Sequence, residues 1–149
     1  MIGRDLHNRL SYQRGASPAS TTDTTAIVSQ TIDMADLLGL EWVILTGSLA
    51  DADATFTVLM EEGDVSDMSD AAAVADVDML PTPNSVSSTA PEAAASFTFA
   101  ADDSVKTIGY VGIKRYVRLT ITPAANSGAA LIAVAAVGLP RRRANVNGS

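Results

Sequence analysis

The most constraining stretch of this chain is Arg115–Thr122, RYVRLTIT, which leads through a short loop into an almost purely apolar run. Val117, Leu119 and Ile121 alternate with Tyr116, Arg118, Thr120 and Thr122. Successive side chains of a β-strand point to opposite faces, so this period of two describes a strand with one face buried. Pro123 is expected to end it, and PAANSG to turn the chain into Ala129–Val137. That second run is apolar on both faces, which places it in the middle of a sheet or beneath a neighbouring subunit.

The same reading extends upstream. Ordered structure is expected to begin near Thr25, with AIVSQTIDM as a strand. In Leu40–Ser48, Trp42 and Ile44 share one face and Val43 and Leu45 the other; in Thr55–Glu61, Phe56, Val58 and Met60 alternate with polar residues. These two runs predict an antiparallel hairpin closed by the ADADA turn. Ala73–Leu80 reads as a strand, with a helix capped by Ser69 as its rival. Ser96–Phe99 and Val105–Tyr110 add two more strands, and Gly109 and Gly112 predict a turn or bulge before the Arg115 strand. Seven or eight short strands at regular spacing predict an all-β fold, an antiparallel β-sandwich with a jelly roll as the expected winding. Residues 1–24 lack a sustained period and read as an extended N-terminal arm, 25–140 as the sandwich, and 141–149 as a basic C-terminal tail.

Length supports one domain with a real core, since 149 residues suffice for one. The apolar content is rich in Ala and Val, with one Trp, three Tyr and three Phe, and suits thin layers packed closely. With no cysteine the fold draws nothing from disulfides and can assemble in a reducing cytoplasm. The longest apolar run, Gly128–Gly138, is roughly half of what a helix needs to cross a bilayer. MIGRDLHNRL carries no apolar signal core, so neither secretion nor membrane insertion is expected.

Charge is segregated along the chain. From Gly15 through Val105 there are sixteen Asp and Glu and no Lys or Arg; from Lys106 onward there are seven basic residues and no acidic one. Two consequences are open. Arg4, Arg9 and Arg14 at one end and Arg141, Arg142 and Arg143 at the other can dock on an acidic partner surface. Alternatively, folding interleaves the two signs on one surface. The docking reading expects that removing residues 1–24, or neutralising the Arg141–Arg143 triplet, weakens association and leaves the domain folded. Nucleic acid is disfavoured as the partner, because the chain is acidic and no aromatics interleave with its basic cluster.

Catalytic chemistry has little to stand on. His7 is the only histidine, lies in the arm, and has no His or Cys partner for a metal or a relay. Acidic pairs abound (Asp51/Asp53, Glu61/Glu62, Asp76/Asp78, Asp102/Asp103), yet a glycosidase site also needs a cleft and aromatic platforms. The loop EEGDVSDMSD offers hard oxygens for calcium without the Asp-x-Asp-x-Asp-Gly order of a helix-loop-helix site, so a solvated loop is the default. No enzyme, metal or cofactor is expected.

In the C-terminal third stand Tyr110-Val111-Gly112, Arg115-Tyr116-Val117-Arg118, Ser127-Gly128 and Gly138-Leu139-Pro140-Arg141. With these elements the third resembles the ending of a group of small tailed-phage and prophage virion proteins. ADADATFTVLMEEGDVSD upstream is similar to the group as well; the basic triplet exceeds the single arginine the group would supply. The resemblance implies a non-catalytic virion component encoded among head genes and assembled in the bacterial cytoplasm. A decoration or cement protein on the outer capsid is the first expectation, then a vertex turret or fibre base, then a head-to-tail joining protein. Its implied partners are the major capsid protein and other copies of itself, as a trimer or a vertex pentamer. A carbohydrate-binding module is the reading from another class, and it requires Trp42, Tyr110 and Tyr116 to line one exposed groove.

Overall fold

The computed structural model describes residues 5–83 and 90–141. Among these, eleven strands are present: β1 Ser11–Thr21, β2 Ile27–Val28, β3 Ile32–Asp33, β4 Leu37–Leu49, β5 Thr55–Gly63, β6 Ala72–Ala73, β7 Met79–Leu80, β8 Phe97–Thr98, β9 Val105–Tyr110, β10 Tyr116–Ala124 and β11 Ala130–Pro140. One short helix, α1, spans Pro91–Ala95. The strands form two antiparallel sheets. One has the order β1-β11-β4-β9-β7; in the other, β10 and β5 are the central pair, flanked by β2 and β3 on one side and by β6 and β8 on the other. The expected all-β sandwich is therefore present. The strand order does not by itself establish a jelly roll.

Alternation decides which face each long strand buries. Val117, Leu119 and Ile121 point inward from β10, as do Phe56, Val58 and Met60 from β5 and Trp42 and Ile44 from β4. Ile132, Val134 and Ala136 complete the core from β11, and Phe56 stacks on Phe97 with ring centroids 4.8 Å apart. Strand β11 lies between β1 and β4, in the mid-sheet position its two apolar faces require.

Four expectations are corrected. First, β4 and β5 are not a hairpin: β4 pairs with β11 and β9, and β5 with β10, so Ala50–Ala54 carries the chain from one sheet to the other. Second, residues 11–21 are not an arm beyond the domain. They form β1, antiparallel to β11 with a register shift near Ala16. Third, the 73–80 stretch is neither one strand nor a helix but two short pairings, β6 and β7, around a single 3-10 turn at Asp76–Asp78. Fourth, Pro123 does not stop β10, which continues to Ala124 with Pro123 opposite Phe56. Strand β2 begins at Ile27, opposite Ile121, so no strand flanks Pro123 on that side to need its missing N–H.

Sheet edges are closed by side chains. Along β5, Ser96 Oγ accepts the Val58 N–H at 2.9 Å and Glu92, on α1, accepts the Met60 N–H. Along β1, Gln30 donates its backbone N–H to the Gly15 carbonyl (2.8 Å), while Ser29 exchanges bonds with Leu119 of β10. Segment 27–33 thus ties one sheet to the other at this edge, and an edge covered this way is a poor template for uncontrolled pairing.

Candidate docking face of the five-stranded sheet

The two outer faces differ in kind. On the β10–β5 side, Tyr116, Arg118, Thr120 and Thr122 of β10 lie beside Thr55, Thr57, Leu59 and Glu61 of β5. Arg118 Nε donates to Glu61 Oε2 at 2.8 Å and Nη2 donates to Oε1 at 3.2 Å, a two-pronged pair that also holds the Glu61 carboxyl below its usual range. Arg115 pairs with Asp33 at 3.0 Å and Lys114 with Asp64 at 2.6 Å. The charge segregated along the sequence is thus partly interleaved by folding, because β10 lies beside β5 and β3.

The outer face of the other sheet is apolar along its centre. Leu131, Ala133, Ala135, Val137 and Leu139 point outward from β11, and Val43 and Leu45 from β4 sit opposite Ala135 and Ala133. Tyr12 adds to it from β1, opposite Val137, and Leu80 from β7, opposite Gly109. Tyr12, Leu45, Leu80, Leu131 and Leu139 are all exposed. Two shallow depressions mark this face. One, of about 330 Å³, lies at the end where β1 meets β11 and β4, lined by Pro18, Leu45, Gly47, Leu131 and Ala133. The other, of about 300 Å³, lies toward the opposite end, lined by Leu10, Glu41, Leu80, Val137 and Leu139.

Glu41 places a carboxylate on this face. It lies over Gly109, where an added Cβ would fall 2.8 Å from Glu41 Oε2. Burial raises its carboxyl above the usual range. Gly109 is thus a strand residue kept small beneath a side chain, not the turn expected; Gly112 does lie in the connection after β9.

Of the basic residues expected to bind a partner, Arg4, Arg142 and Arg143 lie outside the described residues. Arg9 is exposed, in the 3-10 turn His7–Arg9. Arg14 is on β1 opposite Ala135, at the margin of the apolar face. Its Nη1 donates to Ser17 Oγ at 3.0 Å, and in the amide orientation that satisfies both groups its Nη2 donates to Gln30 at 2.7 Å. Arg141 is exposed where β11 ends, beside Ile113, Lys114 and Arg115. Arg9 and Arg141 flank the end of the sheet where Ser11 of β1 lies opposite Gly138 of β11, and Arg14 sits further along β1. The run Ala129–Val137, expected in mid-sheet or beneath a neighbouring subunit, is mid-sheet as β11, and its outward side chains form most of this face.

Acidic pairs do not converge. Glu61 turns outward to Arg118 while Glu62 accepts a hydrogen bond from the Tyr110 hydroxyl at 2.6 Å. Asp51 accepts from Ser127, and Asp102 from the Leu49 N–H. In the loop after β5, Asp70 accepts the Asp64 and Val65 N–H groups. Among the described residues no three His, Asp or Glu are grouped to hold a metal, and no helix is long and apolar enough to cross a membrane. Trp42 and Tyr110 are fully buried, so the exposed aromatic groove of a carbohydrate-binding module is not formed. Compared with known proteins, the chain matches no family model and no curated protein.

Proposed function

We propose that this chain is a non-catalytic structural component of a tailed-phage particle, attached to the outside of the head as a decoration or cement protein. The observation that carries the reading is the contrast between the two outer faces: one polar and cross-braced by ion pairs, the other apolar along β11, with Val43 and Leu45 of β4 and Tyr12 of β1 beside it and Arg14 and Glu41 at its margins. A contiguous exposed apolar face marks a surface that other protein covers. The C-terminal resemblance to small phage virion proteins supplies the class of partner, the major capsid protein together with other copies of this chain. A rigid sandwich with covered edges also suits a clamp that adds many weak contacts by symmetry. A vertex turret or a head-to-tail joining protein would use the same surface at another position, and the jelly-roll winding belongs to the same proposal.

Imaging of intact particles tests it. The expected result is sandwich-shaped density on the outer shell, with the apolar face of the five-stranded sheet turned toward a neighbour. Particles that lack the protein, or that leave this face open to solvent, overturn the proposal.

A further inference from the structure

We infer that the chain binds a second copy of itself head to tail, with Ile113 of one copy seated in the apolar groove between Leu45 and Leu131 of the next. This deepens the assembly reading above by naming a contact between copies. The two halves of the contact lie at opposite ends of the sandwich. Strand β9 runs from Val105, opposite Leu45, to Tyr110, opposite Leu40, so the connection after it emerges at the end away from the groove.

The knob is exposed and braced. Ile113 is 98% exposed, the most exposed large apolar side chain of the described residues. Around it, the loop is held from several sides. The Lys114 N–H donates to the Tyr110 hydroxyl at 2.9 Å, and that hydroxyl donates to Glu62. Lys114 Nζ reaches Asp64, Arg115 reaches Asp33, and the Val111 N–H donates to the Asp78 carbonyl at 2.9 Å. Gly112 lies against the Tyr110 ring, where a Cβ would come within 2.6 Å of the hydroxyl oxygen. An aliphatic side chain presented on so constrained a loop loses little further freedom on binding.

The groove answers in shape and charge. Its lining is Pro18, Ala19, Leu45, Gly47, Leu131 and Ala133, about 330 Å³ in all, and Gly47 keeps its floor open. The turn that carries Asp102 and Asp103 meets β4 at the same end: Asp102 accepts the Leu49 N–H, and the Asp103 N–H donates to the carbonyl of Gly47, a lining residue. Among the described residues neither carboxylate is in a salt bridge, and neither is Arg141, which shares the hollow around Ile113. An apolar knob beside a cation outside any ion pair therefore meets an apolar groove whose end carries two carboxylates likewise outside any ion pair. A contact between two different patches propagates from copy to copy and closes into a ring if the rotation permits.

The test is sedimentation of the purified full-length chain, without capsids, over a wide concentration range. Wild type is expected to self-associate, less so at high salt. Ile113→Asp (knob lost) and Leu131→Glu (groove lost) should each weaken association at least about 30-fold, as loss of a central anchor does. An equimolar mixture of the two variants should form a heterodimer and nothing larger, because one intact knob still finds one intact groove. Both positions are exposed, and melting curves check that each variant folds; Ile113→Ser and Ala133→Glu are a second pair if either does not. A wild type that stays monomeric, variants that associate as wild type does, or a mixture that stays monomeric overturns the inference. Capsid attachment is measured separately, so failure here leaves that reading standing, and the reverse also holds.

Discussion

Gly15 lies directly against the indole of Trp42: a Cβ placed on Gly15 would come 2.9 Å from Trp42 Cζ3 and 2.8 Å from Val134 Cγ1. Trp42 is fully buried, so the segment that passes over it is part of the core's wall. Gly15→Val is therefore expected to destabilise by about 1–3 kcal/mol through overpacking. For a chain of this size that lowers the melting temperature by roughly 3–10 °C. Thermal melts of the variant and wild type check it.

Truncation separates β1 from what precedes it. Deleting residues 1–10 should leave the melting temperature within a few degrees of wild type. Deleting 1–24 strips β1 from β11 and bares Trp42, and it should destabilise strongly. This reverses the earlier expectation that removal of 1–24 leaves the domain intact. Denaturant unfolding of both truncations decides the matter.

Arg118 and Glu61 are each mostly shielded from solvent, and their two-pronged geometry gives the pair more weight than an exposed one. Arg118→Glu should destabilise, and adding Glu61→Arg should recover part of the loss. A double-mutant cycle is expected to return a coupling of about 1 kcal/mol. A coupling of zero would mean that the pair decorates the sheet without holding it.

The pH dependence follows from two opposing sets of carboxyls. Hydrogen bonds from Arg118 and Arg115 lower Glu61 and Asp33 from ordinary values of 4.5 and 3.8. Their stabilisation is complete above those values and is lost as pH falls through the lowered ones. Glu41, raised by burial, has the opposite sign: its effect favours folding below pH 4.5 and is lost as pH rises through the raised value. Melting curves from pH 7 to 3 should therefore show stability falling at the acid end. Glu41→Gln should raise the neutral-pH melting temperature by roughly 1–3 °C and bring little gain at pH 4.

How much was legible in sequence depended on whether a strand carries its own period. Val117, Leu119 and Ile121 of β10 do, and β11 announces a mid-sheet position by being apolar on both sides. Strand β1 does not: its core contacts come from Gly15 and Ala16, and the register shifts around Ala16 break any alternation in SYQRGASPAST. Pairing of β4 with β5 was inferred from closeness in sequence, yet Ala50–Ala54 crosses between sheets, and the two strands' alternation is the same in either case. The apolar face is legible only in part, since a run apolar on both sides reads as mid-sheet or beneath a neighbouring subunit without showing which side is left uncovered. Outward Leu131, Val137 and Leu139 look like inward ones until β11 has neighbours and one side is left uncovered. Charge segregation was visible, but only the β10–β5 pairing shows that Arg118 is matched to Glu61 within the chain.

Titration of phage heads that lack the protein tests the central claim most directly. The probes are wild type, the double variant Tyr12→Glu/Leu139→Glu on the apolar face, and Thr122→Glu on the opposite sheet as control. The account predicts saturable binding by wild type and by the control, and binding at least about 30-fold weaker for the double variant. Equal binding by all three, or no binding by wild type, would contradict it.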